Sequence, residues 1–85
     1  MKNIEIPADY ALVLKQVEQA GAEDFTSLAE TLDFEKARLL HIVWSLKNKG
    51  LLKVSYGAQA TWISLSSKGK RLINRLWPTQ KGYGY

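Results

Sequence analysis

Hydrophobic positions repeat along this chain with two different periods, and the change of period separates helices from strands. A spacing of i, i+3, i+4 and i+7 recurs over residues 7–20 and over 34–49, which predicts two amphipathic helices. Their inward positions are Tyr10, Val13, Leu14 and Val17, and Leu39, Ile42, Val43 and Leu46. Gly21 and Gly50 follow directly and predict the C-terminal ends of these helices.

The segment between the two long helices predicts a shorter helix over 25–32. Three residues compete as its N-cap: Asp24, Thr26 and Ser27. Ser27 and Glu30 have the spacing of a capping box, in which each side chain bonds the other's backbone N–H. Asp33 is the predicted N-cap of the helix over 34–49.

The C-terminal half predicts a hairpin and then a last helix. Residues 52–65 are rich in β-formers, and a Gly-containing turn interrupts them. Because side chains alternate along a strand, Trp62 lies on the face opposite the inward-facing positions. Ser66 or Ser67 caps a helix over 68–77.

The order α-α-α-β-β-α, with at most a one-residue strand near Phe25, is that of a winged helix-turn-helix, an α+β fold. We expect a single domain over 1–78, because a chain of 85 residues has room for one core. Residues 79–85 have no periodicity and are predicted to form a disordered tail.

Charge divides the chain into two unlike parts. Residues 1–35 contain all eight acidic residues and two lysines, a net charge of −6. Residues 36–85 contain ten basic residues and no acidic one. Such asymmetry is typical of nucleic-acid or membrane contact, although the two parts could also pack on each other. The segregation therefore favours a polyanionic partner.

The composition argues against several other classes of protein. The chain has no cysteine and one histidine, so it lacks the residues for a disulfide framework or a His-based metal cluster. No phosphate loop or hydrolase motif is present, and we expect neither an enzyme nor a cofactor. Without a membrane-length apolar run or a signal sequence, a cytoplasmic protein with no membrane contact is expected.

Three motifs at compatible spacing resemble those of MarR-type bacterial and archaeal regulators. They are LAE at 28–30, KGLL at 49–52 and LSSKGK at 65–70. The resemblance covers about residues 8–77. It implies a double-stranded DNA-binding module of a transcription regulator, with the helix over 34–49 in the major groove and the hairpin as its wing. That helix usually carries small hydroxyl residues and an arginine, and this chain departs from the pattern at Glu35, Leu40 and His41. Glu35, near the helix start, would repel phosphate.

Two weaker resemblances concern the tryptophans. Trp44-Ser45-Leu46 and Trp62 resemble the aromatic positions of Zα-type domains, which bind Z-form nucleic acid and pack a wing tryptophan beside a helix aromatic. Lys36 matches a phosphate-contacting lysine there, but Leu40 replaces the central asparagine. Residues 44–52 are also similar to winged modules at the start of the phenylalanyl-tRNA synthetase α subunit.

The residues expected to contact nucleic acid are Lys36, Arg38, His41, Trp44, Lys47, Lys53, Trp62, Lys68, Lys70 and Arg71. Arg38 could instead pair with Glu30 or Glu35. The alternative function is protein binding or homodimerisation through an exposed platform of Leu40, Trp44 and Trp62. A third function is that of a Zα-like or other winged domain that binds RNA or DNA by its shape. The two tryptophans could instead pack on each other or under the hairpin and complete the core.

Overall fold

Residues 7–76 form four helices and a three-stranded antiparallel sheet in the computed structural model. The helices are α1 (Ala8–Ala20), α2 (Phe25–Leu32), α3 (Lys36–Asn48) and α4 (Ser67–Leu76). The strands are β1 (Ala22–Asp24), β2 (Leu52–Tyr56) and β3 (Thr61–Leu65). The α+β fold class and the predicted order are confirmed, with β1 as a three-residue strand. The predicted end of the last helix at residue 77 and the tail 79–85 lie outside the described residues.

The sheet has the order β1-β3-β2, so β3 pairs with a strand on each side. Ile63 in β3 is opposite Val54 in β2 and Glu23 in β1. Trp62 is opposite Ser55 and Asp24. Since residues directly opposite each other share a face, the pair Ile63–Val54 and the pair Trp62–Ser55 belong to opposite faces of the sheet.

One apolar core holds the helices to the inner face of the sheet. The predicted inward positions of α1 and α3 are buried, except that Tyr10 is half-buried. The buried hydrophobic residues are Val13, Leu14, Val17, Leu28, Ala29, Leu39, Ile42, Val43, Leu46, Leu51, Leu52, Ile63, Leu65 and Ile73. No polar or charged residue among residues 7–76 is buried. Side-chain burial therefore fixes which side of α3 remains available for binding.

Asp24, one of the three N-cap candidates for α2, is confirmed, whereas the predicted capping box and the predicted N-cap role of Asp33 are wrong. Asp24 is the N-cap of α2, and its carboxylate accepts the backbone N–H of Ser27 at 3.3 Å. Ser27 thus lies inside the first turn and cannot form a capping box with Glu30. Asp33 is the C-cap residue of α2, and its backbone has the left-handed conformation, with φ 58°. Its backbone N–H donates to the Glu30 carbonyl oxygen at 3.2 Å. Glu35 occupies the N-cap position of α3 without a side-chain bond.

The start of α4 is bonded to the end of α3. Ser66 donates its hydroxyl to the Gly50 carbonyl at 2.5 Å and accepts the Gly69 N–H at 2.9 Å, which confirms Ser66 as the cap. Lys68 donates its ammonium to the Lys49 carbonyl at 3.1 Å. A cation at this place offsets the partial negative charge at the C-terminus of α3. The junction fixes the position of α3 relative to α4.

Candidate nucleic-acid interface

The side of α3 that faces α1 serves to hold the two helices together. Arg38 forms an ion pair with Asp9 of α1, and its guanidinium lies 5.1 Å from the centre of the Phe34 ring. The Tyr10 hydroxyl donates to Ser45 Oγ at 3.4 Å on the same side. Arg38 therefore pairs with Asp9 rather than with Glu30 or Glu35.

The outward side of α3 is exposed and carries no acidic residue. At about 100° per residue, Ala37, His41 and Asn48 point away from the core stripe. All three are exposed, as is Lys36 at the start of the helix. This is the side of a helix-turn-helix that can approach a partner without displacing the core.

The third side of α3 borders an apolar groove next to the wing. Leu40 and Trp44 are 48% and 46% exposed, and Tyr56 at the end of β2 is 70% exposed across the groove. Lys47 places its ammonium 5.2 Å from the centre of the Trp44 ring, a cation–π contact. The groove encloses about 130 Å³. Phe25, Val43, Val54 and Ile63 also line it.

The predicted platform of Trp44 and Trp62 is wrong. Trp62 is 47% exposed, but it lies on the face of the sheet opposite Ile63, whereas Trp44 borders a groove lined by Ile63. The aromatic pair implied by the Zα-type resemblance is therefore not formed. Tyr56 completes the apolar groove instead. Strand alternation in the sequence could have placed Tyr56 on this face. Tyr56 is opposite Thr61, which lies two residues before Ile63, so both side chains are on the same face of the sheet as Ile63.

Lys53 and Trp62 lie on the outer face of the sheet. Lys53 is opposite Ser64, and Ser64 follows Trp62 by two residues, so their side chains project from the same face. Lys53 is exposed. The wing therefore presents a cation and an aromatic ring on the side away from the groove.

The basic residues of α4 lie beside the end of α3. Lys68, Arg71 and Arg75 recur at i, i+3 and i+7, so they share one side of the helix, whereas Lys70 is exposed elsewhere on it. With Lys49 they line an open groove of about 820 Å³. Its apolar lining residues are Leu51 and Leu72. Lys49 and Arg75 were not among the predicted site residues, although the helical spacing in α4 could have identified Arg75.

The described residues offer neither a metal cluster nor a transmembrane helix. No three His, Asp or Glu side chains within 7–76 are arranged to hold a metal ion. In the same range, every helix is too short or too polar to cross a membrane.

Solved structures with the same fold include several transcription regulators. BpsR of Bordetella bronchiseptica, whose DNA binding is regulated by 6-hydroxynicotinic acid, is 20% identical with a TM-score of 0.80, over 95% of this chain and 59% of that one. A variant of MarR from E. coli is 16% identical with a TM-score of 0.82, over 91% and 60%. A transcriptional regulator homologue from Pyrococcus horikoshii is 15% identical with a TM-score of 0.80, over 88% and 78%.

These likenesses confirm the predicted resemblance to MarR-type regulators at the level of the fold. The chain spans about three fifths of the BpsR and MarR chains. No protein-family model and no curated protein sequence matches it.

Proposed function

We propose that this domain binds double-stranded DNA and serves a transcription regulator. The observation that carries the proposal is the outward side of α3, which is exposed from Lys36 to Asn48 and free of acidic residues. The core holds this helix from behind, and the wing stands beside it. A helix so placed can enter the major groove, which is about 12 Å wide.

In this docking the basic residues divide into two roles. Lys36 and Lys47, which border the outward side of α3, lie near phosphates or bases at the edge of the major groove. Lys53, Lys70 and Arg71 contact phosphates on either side of it. His41 projects from the middle of the exposed side toward the bases. Arg38 supports the interface indirectly, because its pairing with Asp9 orients α3 against α1.

The solved structures of the same fold support this proposal by analogy. The DNA binding of BpsR is regulated, and MarR is a repressor in that set. Fold alone does not determine function, since one fold serves many functions. The charge and exposure of α3 in this chain are the independent support.

Fluorescence anisotropy of a labelled random-sequence duplex, repeated from about 50 to 200 mM salt, tests the proposal. We expect affinity to fall steeply with salt, because basic side chains release the counterions of phosphates. Lys36→Gln and Lys53→Gln should each weaken binding for every sequence and lower the salt slope by about 0.9 per lost phosphate contact.

Gln19→Glu is the matched control for these two variants. It also lowers the net charge by one, but Gln19 is exposed near the end of α1. It should leave the salt slope unchanged. Absence of binding at low salt, or equal losses in all three variants, would contradict the proposed docking.

A second candidate function is protein binding through the groove of Leu40, Trp44 and Tyr56. The large exposed fractions of these side chains favour it, because contiguous apolar patches mark partner surfaces. Analytical ultracentrifugation of the free protein tests it for self-association. A dimer that Trp44→Ala converts to a folded monomer would support this function, and a wild-type monomer would argue against self-association.

A further inference from the structure

The part of α3 that would meet the bases has few hydrogen-bonding side chains. In a helix-turn-helix, residues of the N-terminal part of the recognition helix contact the base edges. Here the exposed residues of that part include Lys36, Ala37, Leu40 and His41, and Trp44 follows Leu40 one turn later. Among Ala37, Leu40, His41 and Trp44, only His41 has a side chain that can accept a hydrogen bond, and only His41 and Trp44 have a ring N–H that can donate one. Ala37, Leu40 and Trp44 therefore add a continuous apolar surface beside the polar residues of α3 that would meet the bases.

Arginine, the residue that most often reads guanine, is not available on this side. Guanine is read by two parallel hydrogen bonds from arginine or lysine to its O6 and N7 atoms. Arg38 is the only arginine of α3, and it is directed to Asp9 and Phe34 on the side facing α1. Lys36 and Lys47 remain, and Lys47 lies over the Trp44 ring.

The major groove presents one apolar group, the 5-methyl of thymine. We propose that Ala37, Leu40 and Trp44 contact thymine methyl groups, so that the domain selects thymine-rich duplexes by their methyl pattern. The inference rests on the proposed DNA-binding function and names the base that this site reads. Leu40 and Trp44 are 48% and 46% exposed, so both retain apolar surface to bury against such groups.

Charge identifies DNA as the occupant of this apolar surface. Lys36 and Lys47 border it, and the sequence contains no acidic residue from 36 to its end. The nearest acidic residues in sequence, Asp33 and Glu35, precede α3. An apolar surface bordered by lysines matches a groove in which methyl groups lie between two rows of phosphates.

Uracil substitution isolates the methyl group from every other feature of thymine. Two labelled duplexes of identical A·T-rich sequence are compared, one with thymine and one with deoxyuridine throughout, by anisotropy at fixed salt. Each methyl group lost from the contact should weaken binding about fourfold, which is equivalent to the free energy of burying one CH₂ group. A third duplex, G·C-rich with 5-methylcytosine in place of cytosine, should bind more tightly than its unmethylated form, because the methyl occupies the same position.

Two variants and a control test which side chains contact the methyl group. Leu40→Ala and Trp44→Ala should each reduce the thymine-to-uracil ratio toward one, while both still bind DNA in a salt-dependent way. Leu12→Ala is the matched control, since Leu12 is 50% exposed on α1 and should retain the full ratio. Circular dichroism of each variant verifies that it is folded.

The outcomes separate this inference from the function on which it rests. No salt-dependent binding to either duplex would remove the proposed function and this inference with it. Salt-dependent binding with equal affinity for thymine and uracil duplexes would overturn only the methyl contact. A uracil penalty that is undiminished in both Leu40→Ala and Trp44→Ala would also overturn it, because another surface would then sense the methyl.

Discussion

Trp44 in α3 and Trp62 in β3 are exposed to nearly equal extents, 46% and 47%, but they do not share a surface. Trp44 borders the groove of Leu40 and Tyr56, whereas Trp62 lies beside Ser55 and Asp24 on the outer face. At the scale of single residues, equal exposure therefore does not assign two side chains to one surface. The alternation of β3 determines the separation, since a shift of one residue reverses the face.

Because the two rings are separated, the fluorescence of Trp44 and that of Trp62 should be independent of each other. In a Trp77→Phe background, both remaining emissions should be red-shifted and accessible to acrylamide, because both rings are about half exposed. Trp44→Phe should leave the emission maximum and quenching constant of Trp62 unchanged. A Trp62 emission maximum or quenching constant that changes on that substitution would contradict the separation of the two rings.

Asp24 carries a pH-dependent contribution to the stability of α2. Hydrogen bonds from Ser27, first from its hydroxyl and then from its backbone N–H, lower the pKa of the Asp24 carboxyl despite an opposing effect of desolvation. A carboxyl whose pKa is lower in the folded state stabilises the fold above its ordinary pKa of about 3.9. That contribution is lost as the pH falls through the lower, folded-state pKa.

We expect Ser27→Ala to raise the pKa of Asp24 toward its ordinary value, because the largest stabilising bond is removed. The pKa can be read from an NMR titration of the Asp24 carboxyl. Asp24→Asn should keep the cap, since asparagine also caps helices, and should remove the acid dependence of this site. An unchanged titration in Ser27→Ala would contradict the assigned cause.

Gly69 determines how closely α4 approaches the end of α3. A Cβ atom at Gly69 would lie 2.1 Å from the Leu51 carbonyl oxygen, well inside the closest tolerated contact. This is the physical reason for the glycine in the LSSKGK motif at 65–70. Sequence similarity pointed to the motif, but only the packing of one element on another explains why a side chain is excluded.

Gly69→Ala should lower the free energy of unfolding by about 1–3 kcal/mol, because α4 must move away from Leu51. The loss should occur although alanine is favoured over glycine within helices by about 1 kcal/mol. Urea denaturation measures it. Asn74→Ala, at an exposed position of the same helix, is the control and should be neutral or slightly stabilising. Equal free energies of unfolding for Gly69→Ala and the wild type would show that close packing of Gly69 on the Leu51 carbonyl is not required for stability.

At the scale of elements, periodicity predicted the helices more accurately than their caps. The inward positions of α1 and α3 were readable because each follows a 3.6-residue period. Asp33 was misplaced because an aspartate between two helices can end one or begin the next. The short strand β1 was underestimated because three residues give no period of their own. Its pairing with β3 depends on residues about 40 positions away in the sequence.

For the whole molecule, the proposed DNA binding should be linked to folding. A ligand that binds only the folded state raises stability by about 2.7 kcal/mol at one hundred times its Kd. For a domain of this size that corresponds to roughly 10–20 °C in the unfolding midpoint. Differential scanning fluorimetry with a duplex at low salt should show the rise, and at high salt it should disappear because phosphate contacts are screened. A midpoint that does not change with the duplex at low salt would contradict folded-state binding.

The sequence by itself determined the order of the elements, the core positions of the long helices and the acid-free basic half, because period and charge are local properties of the chain. The tertiary structure decided which exposed groups share a surface. It directed Arg38 to Asp9, joined Lys68 to the end of α3, and placed Tyr56 rather than Trp62 beside Trp44. These results depend on strand register and helix packing between residues far apart in sequence, which a local pattern does not contain.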